Sequence, residues 1–474
     1  MRAAIRKGLM GLIGVGALCL AGVVHSSEDA KAPEPSDARS KAEWAKRVFT
    51  GKEQFLEDAS QHVIDRIQWS GFGTSAVTHS NNREADYRGN LVQPNGVGRS
   101  GTVMYGLDTK AGIQAIVPLT EHITATVQVV SDHRADNSYA PEVEWANVKY
   151  AVGEDWYVRL GRVVAQPFTI SDYRNVGYAI TMVRPPYDLY SLTPLSRMDG
   201  GEIGAQFMIG DGRLNAQLSS GRKDEKIFVP GIATMSVNGT STIASLLYDI
   251  GYSSYRVGVA RNVALTTGAV IDDYWNFVQQ LGPSMGYPPE NVNVRLRGSR
   301  TVMLDLGYSY DPGPWLVQGE MVLTRSDSVM IQDQNAWYVM AGYRLGKWTP
   351  YVAYSDITSK QGPPKNAAAC RAPFNTLAAC TQHQYQAFFI NLYDARANMH
   401  VANSTATIGA RYDVAPNVDI KFQFDRVYKP AGPVSNVGVF SHYCQPADGL
   451  CDRPAWGQTA QTVNLMTFAV DFVF

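Results

Sequence analysis

From about Arg66 to Phe474, apolar and polar side chains alternate with a period of two, and the helical period is scarce. Over 405–414, Ala406, Ile408, Ala410, Tyr412 and Val414 share one face, while Thr405, Thr407, Gly409, Arg411 and Asp413 share the other. Over 418–425, Val418, Ile420, Phe422 and Phe424 oppose Asp419, Lys421, Gln423 and Asp425. Residues 301–310 and 337–345 repeat the pattern. Strand cores are predicted near 67–80, 103–117, 123–133, 142–152, 156–164, 201–209, 213–221, 241–248, 254–262, 295–310, 315–326, 336–345, 348–358, 402–414, 418–428 and 462–474.

The links between these sixteen strands alternate in length. Short ones at 118–122, 153–155, 210–212, 249–253, 311–314, 346–347 and 415–417 carry turn formers such as Asp211-Gly212 and Ala415-Pro416-Asn417. Long ones fall at 81–102, 134–141, 165–200, 222–240, 263–294, 327–335, 359–401 and 429–461. A soluble sandwich or propeller also has one apolar face per strand, but gives no reason for this one-sided alternation. The plan is that of an all-β, transmembrane antiparallel β-barrel of about sixteen strands; fourteen or eighteen fit the same pattern. Lipid offers no hydrogen-bond partners, so a spanning sheet must close on itself. Trp69, Trp156, Trp315, Trp337 and Trp348 lie near strand ends, where an aromatic girdle belongs.

The N-terminus reads differently. Arg2, Arg6 and Lys7 precede an apolar run from Gly8 to Val24, and residues 1–26 read as an export signal. Residues 28–40 read as a tether, and 41–65 as a short periplasmic helix or plug, so that 27–65 precede a barrel at 66–474. With Cys19 lost in the signal, Cys370, Cys380, Cys444 and Cys451 remain. Their spacing favours local disulfides Cys370–Cys380 and Cys444–Cys451, although three connectivities are possible.

Composition alone would suggest a large soluble enzyme. Of 474 residues, 45% are hydrophobic and 18% charged, with 42 Lys+Arg against 43 Asp+Glu. A mean hydropathy of -0.18 hides two faces of opposite character. The balanced charge excludes a polycation acting on nucleic acid. No H-E-x-x-H, G-x-S-x-G, Walker A or Rossmann glycine pattern occurs, the eight histidines are scattered, and no metal or cofactor is implied. A barrel-embedded hydrolase is the alternative among enzymes.

In the last strand Phe468, Val470, Phe472 and Phe474 share a face. That ending resembles the C-terminal signature read by the barrel-assembly machinery of Gram-negative bacteria. The whole of 66–474 resembles the sixteen-stranded general porins of the outer membrane. The stretch SDYRNVGYA, then VRPP and DLY, looks like a group of uncharacterised proteobacterial porins. The resemblance implies an outer-membrane homotrimer in contact with lipid and lipopolysaccharide, passing small hydrophilic solutes. It also implies that the third external loop folds inward and opposes charges on the wall. On this sequence the loop would supply Asp172, Arg174, Arg184, Asp188, Arg197 and Asp199. Its arginines depart from the mostly acidic loop of cation-preferring members, and the PEFGG-type motif is absent.

If apolar phases face lipid, then Lys110, Lys149, Arg159, Arg256, Arg297, Arg344, Arg411 and Lys421 point inward. Asp108, Glu202, Asp305, Glu320, Asp413 and Asp425 follow the same phase. A charge facing lipid at the midplane costs about 2–4 kcal/mol for Arg or Lys, which favours this phase. The expected function is passive diffusion biased by charge. A substrate-specific uptake or adhesion barrel using loops 359–401 and 429–461 is the alternative, and a siderophore transporter is disfavoured because 41–65 is too small for its plug.

Overall fold

The computed structural model describes residues 66–89, 92–193, 196–229, 233–266, 297–327, 333–360, 401–431, 440–441 and 459–474. The expected export signal, the 27–65 segment and every cysteine lie outside these residues.

Among the described residues sixteen strands form a closed antiparallel barrel. They are β1 (Gln68–Ser80), β2 (Lys110–Pro118), β3 (Ile123–Asp132), β4 (Glu142–Val152), β5 (Trp156–Val164), β6 (Arg197–Ile209), β7 (Gly212–Val229) and β8 (Ala233–Ile250). β9 (Ser253–Thr266), β10 (Arg300–Tyr310), β11 (Trp315–Ser326), β12 (Gln334–Tyr343), β13 (Trp348–Ser359), β14 (Ala402–Ala415), β15 (Val418–Lys429) and β16 (Gln461–Val473) complete it. Each strand pairs with its neighbours in sequence, and β1 closes on β16 from Phe72↔Val473 to Ser80↔Leu465. Closure satisfies the backbone groups that an edge strand would leave open.

The side chains are inverted relative to a water-soluble protein. On β15, Phe422 is 52% exposed whereas its neighbour Lys421 is 0% exposed. Asp419, Gln423 and Asp425 are buried on the inner phase with Lys421. At the short-turn end Trp69, Trp156, Trp315 and Trp348 are exposed, and toward the other end Trp337 packs on Tyr354 at 5.5 Å between ring centroids. Gly210 (φ 59) and Gly251 (φ 56) adopt the left-handed backbone that two-residue turns between strands require.

The chain divides into two compact units. The larger spans Trp69–Gln114 and Thr126–Phe474. The smaller includes Ala115–Ala125 and holds the turn after β2, where Leu119 N–H donates to Ile123 O at 2.8 Å. Thr120 Oγ1 there accepts from the His122 and Ile123 amides at 3.2 and 3.0 Å.

Several boundaries differ from expectation. The stretch 222–240, read as a loop, is mostly strand: β7 and β8 run 18 residues each and stay paired from Asp249↔Arg213 to Ala233↔Val229. Its charges hid the strand because, above the apolar band, neither face has to be apolar. The expected strand start at 103 is a two-residue pairing of Val103–Met104 with β1, separated from β2 by a turn holding Asp108.

Candidate functional site: the inward loop

The connection between β5 and β6 packs against the inner phase of the barrel wall. Its apolar residues Phe168, Ile170, Ile180, Met182, Leu189 and Tyr190 are buried in one cluster with inward side chains of the wall. The wall contributes Met303 from β10, Val322 from β11, Tyr338 and Met340 from β12, and Tyr351 and Ile357 from β13. Full burial of one such side chain is worth about 1.5–3 kcal/mol. Several of them supply more attraction than buried ion pairs, whose gain is offset by desolvation. The apolar seat holds the loop; the charges set its position.

Four polar anchors do so. Arg184 donates from Nε to Asp108 Oδ1 at 2.9 Å and from Nη2 to Asp108 Oδ2 at 2.6 Å. Its Nη1 donates to Asp425 Oδ2 at 2.8 Å, and Nη2 also reaches Thr467 Oγ1 at 2.7 Å. Lys421 Nζ donates to Gly177 O and Ile180 O, each at 2.7 Å, and pairs with Asp471 at 2.9 Å. The loop is a 3-10 turn there (Gly177–Ala179), and Arg411 Nη1 donates to Tyr178 O at 2.6 Å. At the loop's start, Arg256 donates to Gln166 O at 2.6 Å and pairs with Asp305 at 2.9 Å. Glu320 accepts there from the Thr169 amide at 2.7 Å and the Tyr190 hydroxyl at 2.6 Å.

The fourth anchor is Asp188, in the single-turn helix α1 (Tyr187–Tyr190) that begins after Pro185-Pro186. Its carboxylate accepts from Ser355 Oγ at 2.6 Å and from Asn403 Nδ2. Burial pushes this carboxyl up to about 6, although the hydroxyls of Ser355 and Thr405 pull it partly back.

On the loop's other side a cavity of about 410 Å³ remains. Asp108, Lys110, Asp132, Arg134, Glu142, Glu144, Arg174 and Arg197 line it. Lys110 Nζ donates to Arg174 O at 3.1 Å. Glu142 Oε2 bridges Arg134 at 2.7 Å and Arg197 at 2.5 Å, and Arg197 also pairs with Glu144 at 3.1 Å. Charges of both signs therefore line one cavity.

The remaining sequence-predicted residues fall as follows. Asp172 is exposed on the loop. Arg197 and Asp199 belong to β6 and not to the loop, because pairing with β5 begins at Val164↔Arg197; Asp199 is exposed and bonded to Arg162 at 2.7 Å. Lys149 Nζ lies 4.6 Å from the Tyr157 ring centroid, and Arg159 pairs with Glu202 at 3.0 Å. Arg297 is an exposed turn residue ahead of β10, since the strand starts at Arg300. Arg344 follows β12 and pairs with Asp311 of the neighbouring β10–β11 turn at 2.5 Å, so it stands at the turn end and not on the mid-barrel wall. Phe468, Phe472 and Phe474 are on the outer phase, with the Phe468 ring tilted against that of Phe422 at 5.0 Å between centroids. The apolar seat was missed by sequence reasoning, yet Met303, Val322 and Met340 on inward phases of the successive strands β10, β11 and β12 were its signal.

The architecture is porin-like: sixteen antiparallel strands, short turns at one end, and the connection after the fifth strand folded against the inner wall. Solved structures that the chain resembles include an anion-selective porin from Comamonas acidovorans, at 12% identity and TM-score 0.48 over 86% of this chain and 99% of that one. The outer-membrane channel DcaP of Acinetobacter baumannii matches at 10% identity and TM-score 0.47, covering 86% and 97%. Salmonella typhi OmpF in complex with daunomycin matches at 12% and 0.47, again covering 86% and 97%. No protein-family model matches the sequence, and no curated protein matches it.

Proposed function

We propose that the protein is an outer-membrane channel for passive diffusion of small hydrophilic solutes, narrowed by the 165–196 loop and biased by its charges. The inversion of β15 carries this reading: Phe422 is exposed outward while Lys421 is wholly buried inward. Such a wall suits lipid outside and a polar lumen inside. The loop fills one side of that lumen with apolar packing and leaves the charged cavity beside Lys110 and Arg174 as the route. Export by residues 1–26, assembly through the Phe468, Phe472 and Phe474 face, and a homotrimer belong to the same proposal.

Purified, folded protein added to planar bilayers is expected to give stepwise conductance, with reversal potentials reporting the charge bias. Liposome swelling on a panel of sugars and organic acids ranks the solutes. Correctly folded protein without channel activity would overturn the reading.

A further inference from the structure

The connection between β1 and β2 also runs inward. Its Ala85, Tyr87, Val97 and Leu107 are buried in one cluster with Val427 of β15 and with Val463 and Leu465 of β16. Val427 shares the phase of Lys421 and Asp425 and pairs with Val463 across the strands, so this seat is on the inner wall. In water outside the barrel these side chains would stay exposed, and seating them on the wall removes that apolar surface.

Hydrogen bonds brace the segment. Tyr87 and Val97 exchange backbone bonds at 3.0 and 2.9 Å. Asp86 accepts from the Ser100 amide at 2.8 Å and from its hydroxyl at 2.5 Å. The Gln93 side chain accepts from the Gly89 amide at 2.7 Å and donates to Leu107 O at 2.9 Å, which ties the two arms of the connection together. Phe440–Ser441, from the connection after β15, adds an antiparallel pairing to Asp86–Tyr87.

The two inward connections meet. Tyr187 Oη donates to Asp108 Oδ1 at 3.0 Å, its ring centroid lies 6.1 Å from that of Tyr87, and Arg184 binds Asp108. Gly89 passes so close to Tyr187 that a Cβ there would stand 2.7 Å from the hydroxyl oxygen. The 165–196 loop covers the inner phase of β10–β13, and the first connection covers that of β15 and β16. The cavity of about 410 Å³ is therefore bounded by both loops together with wall residues from β2 to β8.

Its two rims differ in chemistry. The first connection contributes Gly89, Val92, Gln93, Leu107 and Thr109, all uncharged, and Asp108, whose carboxylate is held by Arg184. Charges facing the cavity come instead from the wall and the 165–196 loop, among them Lys110, Asp132, Glu142 and Arg174.

We infer that residues 81–109 form a second constriction element, so that solutes pass through a gap between two loops. The neutral rim at Val92 and Gln93 limits solute size, and the opposite rim sets charge preference. The resemblance to general porins implies one inward connection, after the fifth strand; this one is additional. A neutral side chain excludes by volume, whereas a fixed charge acts on ions through its field, so substitutions can separate the two properties. The inference rests on the channel reading under Proposed function.

The test uses the full-length folded barrel in planar bilayers and in swelling liposomes. In Val92→Cys, a methanethiosulfonate reagent carrying one sulfonate is expected to lower single-channel conductance and to move the reversal potential toward cation preference. In Glu84→Cys, at an exposed position of the same connection outside the cavity, the reagent should change neither, and wild type treated alike gives the baseline. The double variant Tyr87→Ala/Val97→Ala empties the seat without adding charge. It should admit larger sugars and leave the reversal potential in place. Unchanged conductance in labelled Val92→Cys, or an equal response at Glu84→Cys, would overturn the inference. So would a correctly folded double variant with the wild-type size limit; if that variant does not fold, the two cysteine variants decide alone. Conducting wild type with unresponsive variants sinks only this inference, whereas folded wild type that never conducts sinks the channel reading on which it rests.

Discussion

Arg184 Nη1 lies 2.8 Å from Asp425 Oδ2, joining the inward loop to β15 across 241 residues of sequence. The same guanidinium is shared with Asp108, and all three side chains are buried. Arg184→Met leaves two buried carboxylates without their counter-charge, a loss of about 3–5 kcal/mol for a buried pair. The loop is expected to leave the wall, raising single-channel conductance and admitting larger sugars in liposome swelling. Arg184→Lys keeps the charge but loses the forked geometry, so its effect should be intermediate. Conductance unchanged in Arg184→Met would show that the apolar seat alone fixes the loop.

Position along the barrel separates cations that face the route from those that do not. Lys110 and Arg174 line the cavity, whereas Arg344 is paired with Asp311 at the turn end. Lys110→Gln and Arg174→Gln are expected to move reversal potentials toward cation preference, and Arg344→Gln to leave them in place. A shift from Arg344 as large as that from Lys110 would relocate the selective region to the turn end.

How far the sequence carried depended on what each signal encodes. Alternation at 405–414 and 418–425 reported the outward face, with Ile408 and Phe422 exposed and Lys421 buried, because an apolar exterior leaves no choice at those positions. The same logic placed Lys421, Arg411 and Asp425 inward. It erred at Arg344 and Arg297, where the strand had ended or not begun, and at 222–240, where strands continue above the band that enforces the pattern. Which inward charges meet the loop was not legible at all. Arg184 gathers Asp108, Asp425, Thr78 and Thr467 from three regions of the chain, a juxtaposition that only barrel closure creates.

Acid should tighten one loop anchor. Asp188 is raised to about 6, chiefly by burial. A carboxyl raised in the folded state contributes stability fully below its ordinary value of about 4 and loses it as pH rises through the folded value. Hydrogen exchange of the 165–196 amides is expected to be slowest at about pH 4 and to quicken on passing pH 6. Asp188→Asn should flatten that change, and a wild-type profile already flat across the window would remove Asp188 as its source.

The seam between β1 and β16 offers a test in which packing and strand propensity oppose each other. Gly71 and Phe474 exchange backbone hydrogen bonds at 2.9 Å, and the Phe474 ring occupies the space that a Cβ on Gly71 would take; Phe472 covers Gly73 likewise. By propensity Gly71→Val should help a strand. Here it should destabilise, because overpacking typically costs about 1–3 kcal/mol. The folded fraction surviving stepwise heating, read as heat-modifiable mobility on a gel, should fall for Gly71→Val and for Phe474→Ala. The double variant should recover part of the loss, since the new methyls enter the space vacated by the ring. Strictly additive losses would mean that ring and glycine act independently, and that the seam is held by its backbone ladder alone.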